Sequence, residues 1–462
     1  MRLRGGAEGT RSPSRALDYL RQSWTDLRAA RPFGLQLARA SACLVSATLL
    51  TGILGYLYWT AAARGASPGT VGYAAALVSA MALVSALGGI GAGLGMTYVL
   101  PRAGARWSAT VNAALALVFL VSALLALGFV CGAAALRVQL GELAESPMQL
   151  WTFVATCAFW STSLILDDVL MVERCAGLLL LRHAVAALVR LGAVPIVIGL
   201  WGDDAGFGLA AAWGASALIS TAIVVAPFFR RNPSGRQFRA DLDIRAVTQV
   251  LPLAVKNHGY VLMAMAPYLL LPLMVSNMLS LEDNAYYYTT WMITMQLLTI
   301  VTSTNNALFA HTASAGVLDR RHLNQVLVAM LAVVVPAALF LLIAGQAALG
   351  LLGSGYGEHG GPLLVWLALL AIPKTVTELY ATVMRVRRRF GAAVRLISFG
   401  SISTLAVAGA TMRAWGLPAV GIAYFSCFSA AALYCAYDLW WRADRHRQKG
   451  GPRSAAAWLP RT

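Results

Sequence analysis

"LPLAVKNHGYVLMAMAPYLLLPLMV", residues 251–275, decides how this chain is to be read. A bilayer core needs about 20 apolar residues in a row, and this stretch supplies them, but it also sets Lys256, Asn257 and His258 side by side and carries prolines at 252, 267 and 272. A helix on a soluble core would show one apolar stripe and a broad charged face. Apart from the polar trio this segment is apolar all round, so it reads as a membrane span whose polar residues need a reason.

The rest of the chain agrees. Its 462 residues are 59% hydrophobic and 12% charged, with mean hydropathy +0.67. A soluble domain carries about twice that charged fraction. Apolar runs of spanning length recur throughout, and in lipid such runs satisfy their backbone only as helices. The fold class expected is an all-α polytopic membrane protein. Its twelve spans fall near 38–60, 70–98, 109–135, 149–171, 178–200, 208–229, 248–280, 286–310, 323–352, 362–383, 392–414 and 418–440.

The net charge of +17 does not indicate nucleic-acid binding, because the arginines sit in short loops between apolar runs and form no soluble basic face. They report topology instead. Arg102, Arg106, Arg174, Arg230, Arg231, Arg236, Arg239, Arg245, Arg320, Arg321, Arg385, Arg387, Arg388, Arg389 and the tail from Arg442 occupy alternate loops. The intervening loops, such as "RVQLGELAESP", "WGDDAGFG" and "SLEDN", hold one arginine each at most. The positive-inside rule then puts both termini in the cytoplasm.

This divides the chain into a basic tail (1–37), a first six-helix bundle (38–229), a cytoplasmic linker (230–247), a second six-helix bundle (248–441) and a basic tail (442–462). Leu17, Leu20, Trp24 and Leu27 give the first tail an amphipathic helix on the membrane surface. A faint repeat relates the bundles: Tyr73 falls on Tyr286 with a shift of 213 positions. Each half begins and ends on the same side, so the repeat is parallel, as in transporters with a cavity between two bundles.

Other motifs carry less. "GGIGAGLG" at 88–95 looks like a phosphate loop, but it lies inside a span with no strand before it. Close helix packing through Gly89 and Gly93, and through Gly91 and Gly95, is the better reading. The six cysteines form no C-x-x-C pair, and no metal cluster or nucleotide loop is present in the sequence, so no cofactor is expected.

The segment 54–103, with a first span ending in small residues, a Pro-Gly-x-x-Gly-Tyr turn and a second span ending in "GLGM" and a basic turn, resembles the opening of the polysaccharide-export flippases of the MOP superfamily. "NHGYVLMAMAPYLLLPLMVSNML" followed by "AYYYTTWMI" is similar to their seventh and eighth spans. That group includes Wzx-type flippases, with the lipid II flippase and MATE exporters as distant relatives. The resemblance implies a lipid-linked glycan of polyprenyl-phosphate type as substrate, moved between leaflets of a bacterial cytoplasmic membrane. It also implies membrane lipids and other polysaccharide assembly proteins as partners.

Charged residues inside spans cost about 2.5–3.5 kcal/mol each on insertion scales, so they should face protein or water. Lys256 and Lys374 with Arg190 are the candidates for an anionic headgroup. Asn257, His258, Asn305 and Asn306 offer donors and acceptors to sugars, or glue between helices. Glu378 is four residues after Lys374 and shares its helix face, and Asp167 and Asp168 can pair with span five; these three are candidates for ion pairs or coupling. Tyr286, Tyr287, Tyr288 and Trp291 read as an interfacial belt or as a stacking surface for sugar rings. The expected activity is alternating-access flipping. The alternatives are a drug or metabolite exporter and, against the short external loops, an integral-membrane polymerase or glycosyltransferase.

Overall fold

The computed structural model describes residues 50–231, 244–315, 320–387 and 389–442. The predicted amphipathic helix in 1–37, most of the linker and nearly all of the last tail lie outside them. The helices are α1 (50–65), α2 (Pro68–Gly88), α3 (Ala92–Val99), α4 (Trp107–Ala135), α5 (Pro147–Val172), α6 (Ala176–Trp201), α7 (Gly206–Arg231), α8 (Ile244–Met278), α9 (Leu281–Ala315), α10 (Arg320–Gly350), α11 (Ser354–Val386), α12 (Phe390–Trp415) and α13 (Pro418–Ala436). With α2 and α3 counted as one broken span, the described chain has twelve spans and no strand. The described ends of the linker are shorter than expected, because α7 runs to Arg231 and α8 begins at Ile244.

Local chemistry sets the helix ends. Ser67 caps α2 by accepting from the Thr70 amide at 3.3 Å, with Pro68 in the first turn, and Ser146 and Pro147 open α5 in the same way. Gly202 and Gly416 adopt positive φ after α6 and α12.

Helix breakers act unevenly along the chain. Helix α8 continues through Pro252, Pro267 and Pro272. The break comes in the second span, at "GGIG", where Ile90 has φ 45° and Gly91 φ 68°. Of the four glycines expected to pack closely, Gly93 does so: a Cβ there would overlap the Asp168 carboxylate of α5. Gly88, just before them, is pressed in the same way against Ser122 of α4. Around Gly89 and Gly91 the glycines serve the turn.

Helices α1–α7 form one half and α8–α13 the other, and the halves meet chiefly through α2 against α9 and α8. At the arginine-poor ends the junction is tight. A Cβ on Gly72 would overlap the Leu281 carbonyl. Asn284 donates to the Gly72 carbonyl at 2.8 Å, Tyr56 to Ala348 at 2.7 Å, Arg64 to Leu351 at 2.7 Å, and the Gln139 amide to Asn277 at 3.3 Å. These four hydrogen bonds join the halves toward this side. The main apolar core runs across both halves, from Tyr58 and Trp59 to Tyr287 and Trp291. A second core, holding Leu100, Trp107, Ile165, Val169 and Phe228, belongs to the first half alone and lies toward its arginine-rich end.

Within the first half, Arg182 of α6 is 3% exposed and grips Asp167 of α5 through two guanidinium nitrogens. His183 Nε2 stands 3.3 Å from the same carboxylate. The pairing expected between Asp167 and span five is thus made, through Arg182, and the charge of Arg182 is met inside the bundle.

Two stability tests follow from this packing. Gly72→Ala should lower the melting temperature of the purified protein by the equivalent of about 1–3 kcal/mol or more. Gly69→Ala, where a new Cβ finds only Ser67 Oγ at 3.9 Å, should leave it unchanged. Asp167→Asn strands the Arg182 charge and should cost about 3–5 kcal/mol, whereas Asp167→Leu with Arg182→Leu should cost less than either single change. Equal losses for all three would show that the pair contributes nothing specific.

Candidate functional site

Arg190 lies near the middle of α6, about 21 Å along the axis from Ala176 at ~1.5 Å per residue. Its guanidinium carbon sits 4.2 Å from the ring centre of Trp213 on α7. Its Nε donates to the Ala186 carbonyl at 3.2 Å. The Tyr58 and Tyr288 hydroxyls lie within electrostatic range. Among the described residues no carboxylate stands within ion-pair distance of it. A half-buried cation without a counter-ion at this depth keeps its charge by resting on an aromatic face, which attracts a desolvated cation by about 2 kcal/mol. A guanidinium can hold an anion such as phosphate in bidentate fashion.

Lys374 is treated differently. It follows Pro373 in α11, and its Nζ is 3.2 Å from Glu378 Oε1 and 4.6 Å from the ring centre of Phe428 on α13. The four-residue spacing delivers the pair on one helix face. This cation is already neutralised, so of the two it is the weaker anion site.

A chain of rings runs between these cations. Trp213 packs on Tyr58 at 6.0 Å, and Tyr58 on Trp59 at 5.1 Å. Trp59 crosses the junction to Tyr288 at 4.9 Å. Tyr288 shares a hydroxyl hydrogen bond with Tyr268, which stacks on Trp291 at 6.3 Å. Trp291 stacks on Tyr424 at 5.4 Å, and Tyr424 packs on Phe428 at 5.3 Å, beneath Lys374. Arg190 and Lys374 are thus joined through rings rather than by direct contact.

These rings correct the belt reading. Tyr286, Tyr287, Tyr288 and Trp291 are buried, not spread along a lipid interface. Tyr286 lies on His359 at 4.8 Å, and the other three help to seal the junction between the halves.

The remaining candidates have other uses or lie beyond description. Asp167 is held by Arg182, and Asp168 fills the space left by the absent side chain of Gly93. Asn305 of α9 donates to Thr382 Oγ1 of α11 at 2.7 Å, and Thr382 also accepts from Arg385 at 2.8 Å, so this amide binds helix to helix. His258 meets the end of α2. The side chains of Lys256, Asn257 and Asn306 lie outside the described residues, although their backbones belong to α8 and α9. Sequence reasoning passed over Tyr58, Trp59, Trp213 and Phe428. The visible signal was "YLYW" at 56–59, a cluster of aromatics on one helix.

No family model matches the sequence, and no curated protein matches it. Solved structures do. A multidrug resistance MATE family transporter of the MOP superfamily in an inward-facing conformation aligns with TM-score 0.65 and 12% identity, over 89% of this chain and 100% of that one. The lipid II flippase MurJ in an inward closed conformation aligns with TM-score 0.65 and 13% identity, over 85% of this chain and 86% of that one. A MOP superfamily transporter from Pyrococcus furiosus, described as having a binding pocket of reverse polarity, aligns with TM-score 0.55 and 14% identity, over 90% and 96%. By its overall fold, this chain is similar to these transporters.

Proposed function

We propose that the chain is an alternating-access flippase. It moves a lipid-linked oligosaccharide of polyprenyl-phosphate type from the cytoplasmic to the external leaflet of a bacterial cytoplasmic membrane. The arginine-rich ends and both termini face the cytoplasm. Arg190 carries this reading: a guanidinium at mid-membrane, without a carboxylate partner among the described residues, set at the margin between the halves. A phosphate or pyrophosphate supplies the counter-charge that the protein withholds.

The closed arginine-poor junction and the separate core at the arginine-rich end of the first half support a state that accepts the headgroup from the cytoplasm. In the working cycle the headgroup enters between the halves and settles on Arg190. The ring layer from Trp59 to Tyr288 bars the way onward, and the lipid tail stays in the bilayer. Opening the Gly72–Asn284 contact and closing the other end then releases the headgroup outside. Other proteins of polysaccharide assembly would supply and consume the glycolipid.

A second reading is an exporter of amphipathic drugs or metabolites. The density of rings around Lys374 and Glu378 favours it, since rings and a carboxylate suit an organic cation.

A reconstituted assay separates the two. With a fluorescent polyprenyl-pyrophosphate-linked sugar, Arg190→Ala should slow flipping about 10–100-fold, as expected for the loss of charge-assisted bonds worth about 1.5–3 kcal/mol. Lys374→Ala, which removes a cation already neutralised by Glu378, should have a smaller effect. Full-rate flipping by a folded Arg190→Ala protein would sink the headgroup proposal. Transport of ethidium but not of the glycolipid, abolished by Glu378→Gln, would establish the exporter.

A further inference from the structure

Helix α9 crosses the whole width of the fold, yet it is not among the described helices apolar enough, by length and composition, to cross a membrane. Part of the reason lies toward its arginine-rich end. Gln296, Thr299 and Ser303, three and four residues apart, share one face of the helix. Thr299 gives its hydroxyl to the Met295 carbonyl at 2.8 Å. Gln296 is exposed, and among the described residues its amide has no hydrogen-bond partner. It stands about 22 Å along α9 from Leu281 at ~1.5 Å per residue, inside the span.

An amide within a span ordinarily serves as glue between helices. Asn305 does so through Thr382, and nine residues separate it from Gln296, which puts the two amides on opposite sides of α9, about 180° apart. Gln296 faces α1 instead, at a place where α1 has no side chain: a Cβ on Gly52 would stand 2.8 Å from Gln296 Oε1. A carboxamide carries two donors and an acceptor, and in hydrocarbon all of them would go unmet. Its surroundings are therefore water or a polar ligand, not acyl chains.

The level of Gln296 matches the site at Arg190. Tyr288, whose hydroxyl lies within electrostatic range of Arg190, packs on Trp59 of α1. Gln296 comes eight residues after Tyr288, about 12 Å nearer the arginine-rich end. Gly52 comes seven residues before Trp59, so the antiparallel helices α1 and α9 carry both pairs in register. The Trp59–Tyr288 layer and the Gly72–Asn284 contact close the other direction. Sugars attached to a phosphate on Arg190 must then extend toward Gln296.

We propose that Gln296 reads the first sugar of the lipid-linked glycan. Its carboxamide donates to and accepts from the sugar's hydroxyl or acetamido groups, and Gly52 keeps the room it needs. The inference rests on the flippase reading above and adds to it a residue for the glycan, separate from Arg190 for the phosphate.

The test is isothermal titration of the full chain in lipid nanodiscs with two short-chain probes, geranyl pyrophosphate and geranyl-pyrophosphate-linked N-acetylglucosamine. The unmutated protein should favour the sugar-bearing probe. Gln296→Leu should cut that preference about 2–10-fold, the worth of one hydrogen bond. Gly52→Ala, whose methyl meets the amide, should cut it in the same direction. Arg190→Ala should weaken both probes and keep the preference. An undiminished preference in folded Gln296→Leu protein overturns the proposal, as does an unmutated protein with no preference. If Gln296→Leu does not fold, Gly52→Ala decides by the same criterion. Equal binding of both probes, lost in Arg190→Ala, removes Gln296 alone and leaves the flippase reading standing. Binding of neither probe removes both.

Discussion

The molecule hinges on what Gly72 lacks. Without a side chain there, α2 lies directly on the first turn of α9, and Asn284 bonds the exposed Gly72 carbonyl. Apolar burial drives little association in lipid, so helices hold together by close packing and interhelical hydrogen bonds. This contact has both. It draws the halves together at one end, brings Trp59 onto Tyr288, and leaves Arg190 at the margin of the closed layer. Gly72 and Ala285 come just before Tyr73 and Tyr286, the two residues that the internal repeat superposes. The repeat therefore meets itself at the junction, with the Ala285 amide nitrogen 3.1 Å from where a Gly72 Cβ would stand.

Three cations inside the spans receive three treatments, and the differences separate structural from functional roles. Arg182 has a bidentate carboxylate and a neighbouring imidazole; removing either charge of the pair would be severe, and nothing is left for a ligand. Lys374 has a carboxylate and a ring. Among the described residues, Arg190 has a ring, nearby hydroxyls and its own helix carbonyl, and no carboxylate. A cation left without a counter-ion so deep in the membrane is tolerated most readily where a ligand completes it. That is why Arg190, rather than Lys374, carries the functional reading.

Much of this was legible in the sequence because the bilayer imposes length and the loops carry charge. The spans, the division into halves and the Lys374–Glu378 pair follow from rules that act within one segment: about 20 apolar residues, alternating arginine loops, and side chains four apart on one helix face. The errors had a common cause. Tyr286–Tyr288 looked like an interfacial belt because burial between two halves leaves no mark on local composition. The seventh span runs on as one helix through three prolines, whereas the second span breaks at Ile90–Gly91, because a helix loses its ladder when φ turns positive. Of the two roles open to Asn305, the fold gives it the one between helices, through its bond to Thr382.

The sequence by itself determined that this is a helical membrane protein of two similar halves, since hydropathy and arginine placement act residue by residue against the same bilayer. Only the tertiary structure decided which charges are spent and which are free. Pairing depends on what stands opposite, and the opposite helix is set by packing between segments far apart in the chain. Arg182 meeting Asp167, Arg190 meeting Trp213, and His258 meeting the frayed end of α2 are contacts of that kind.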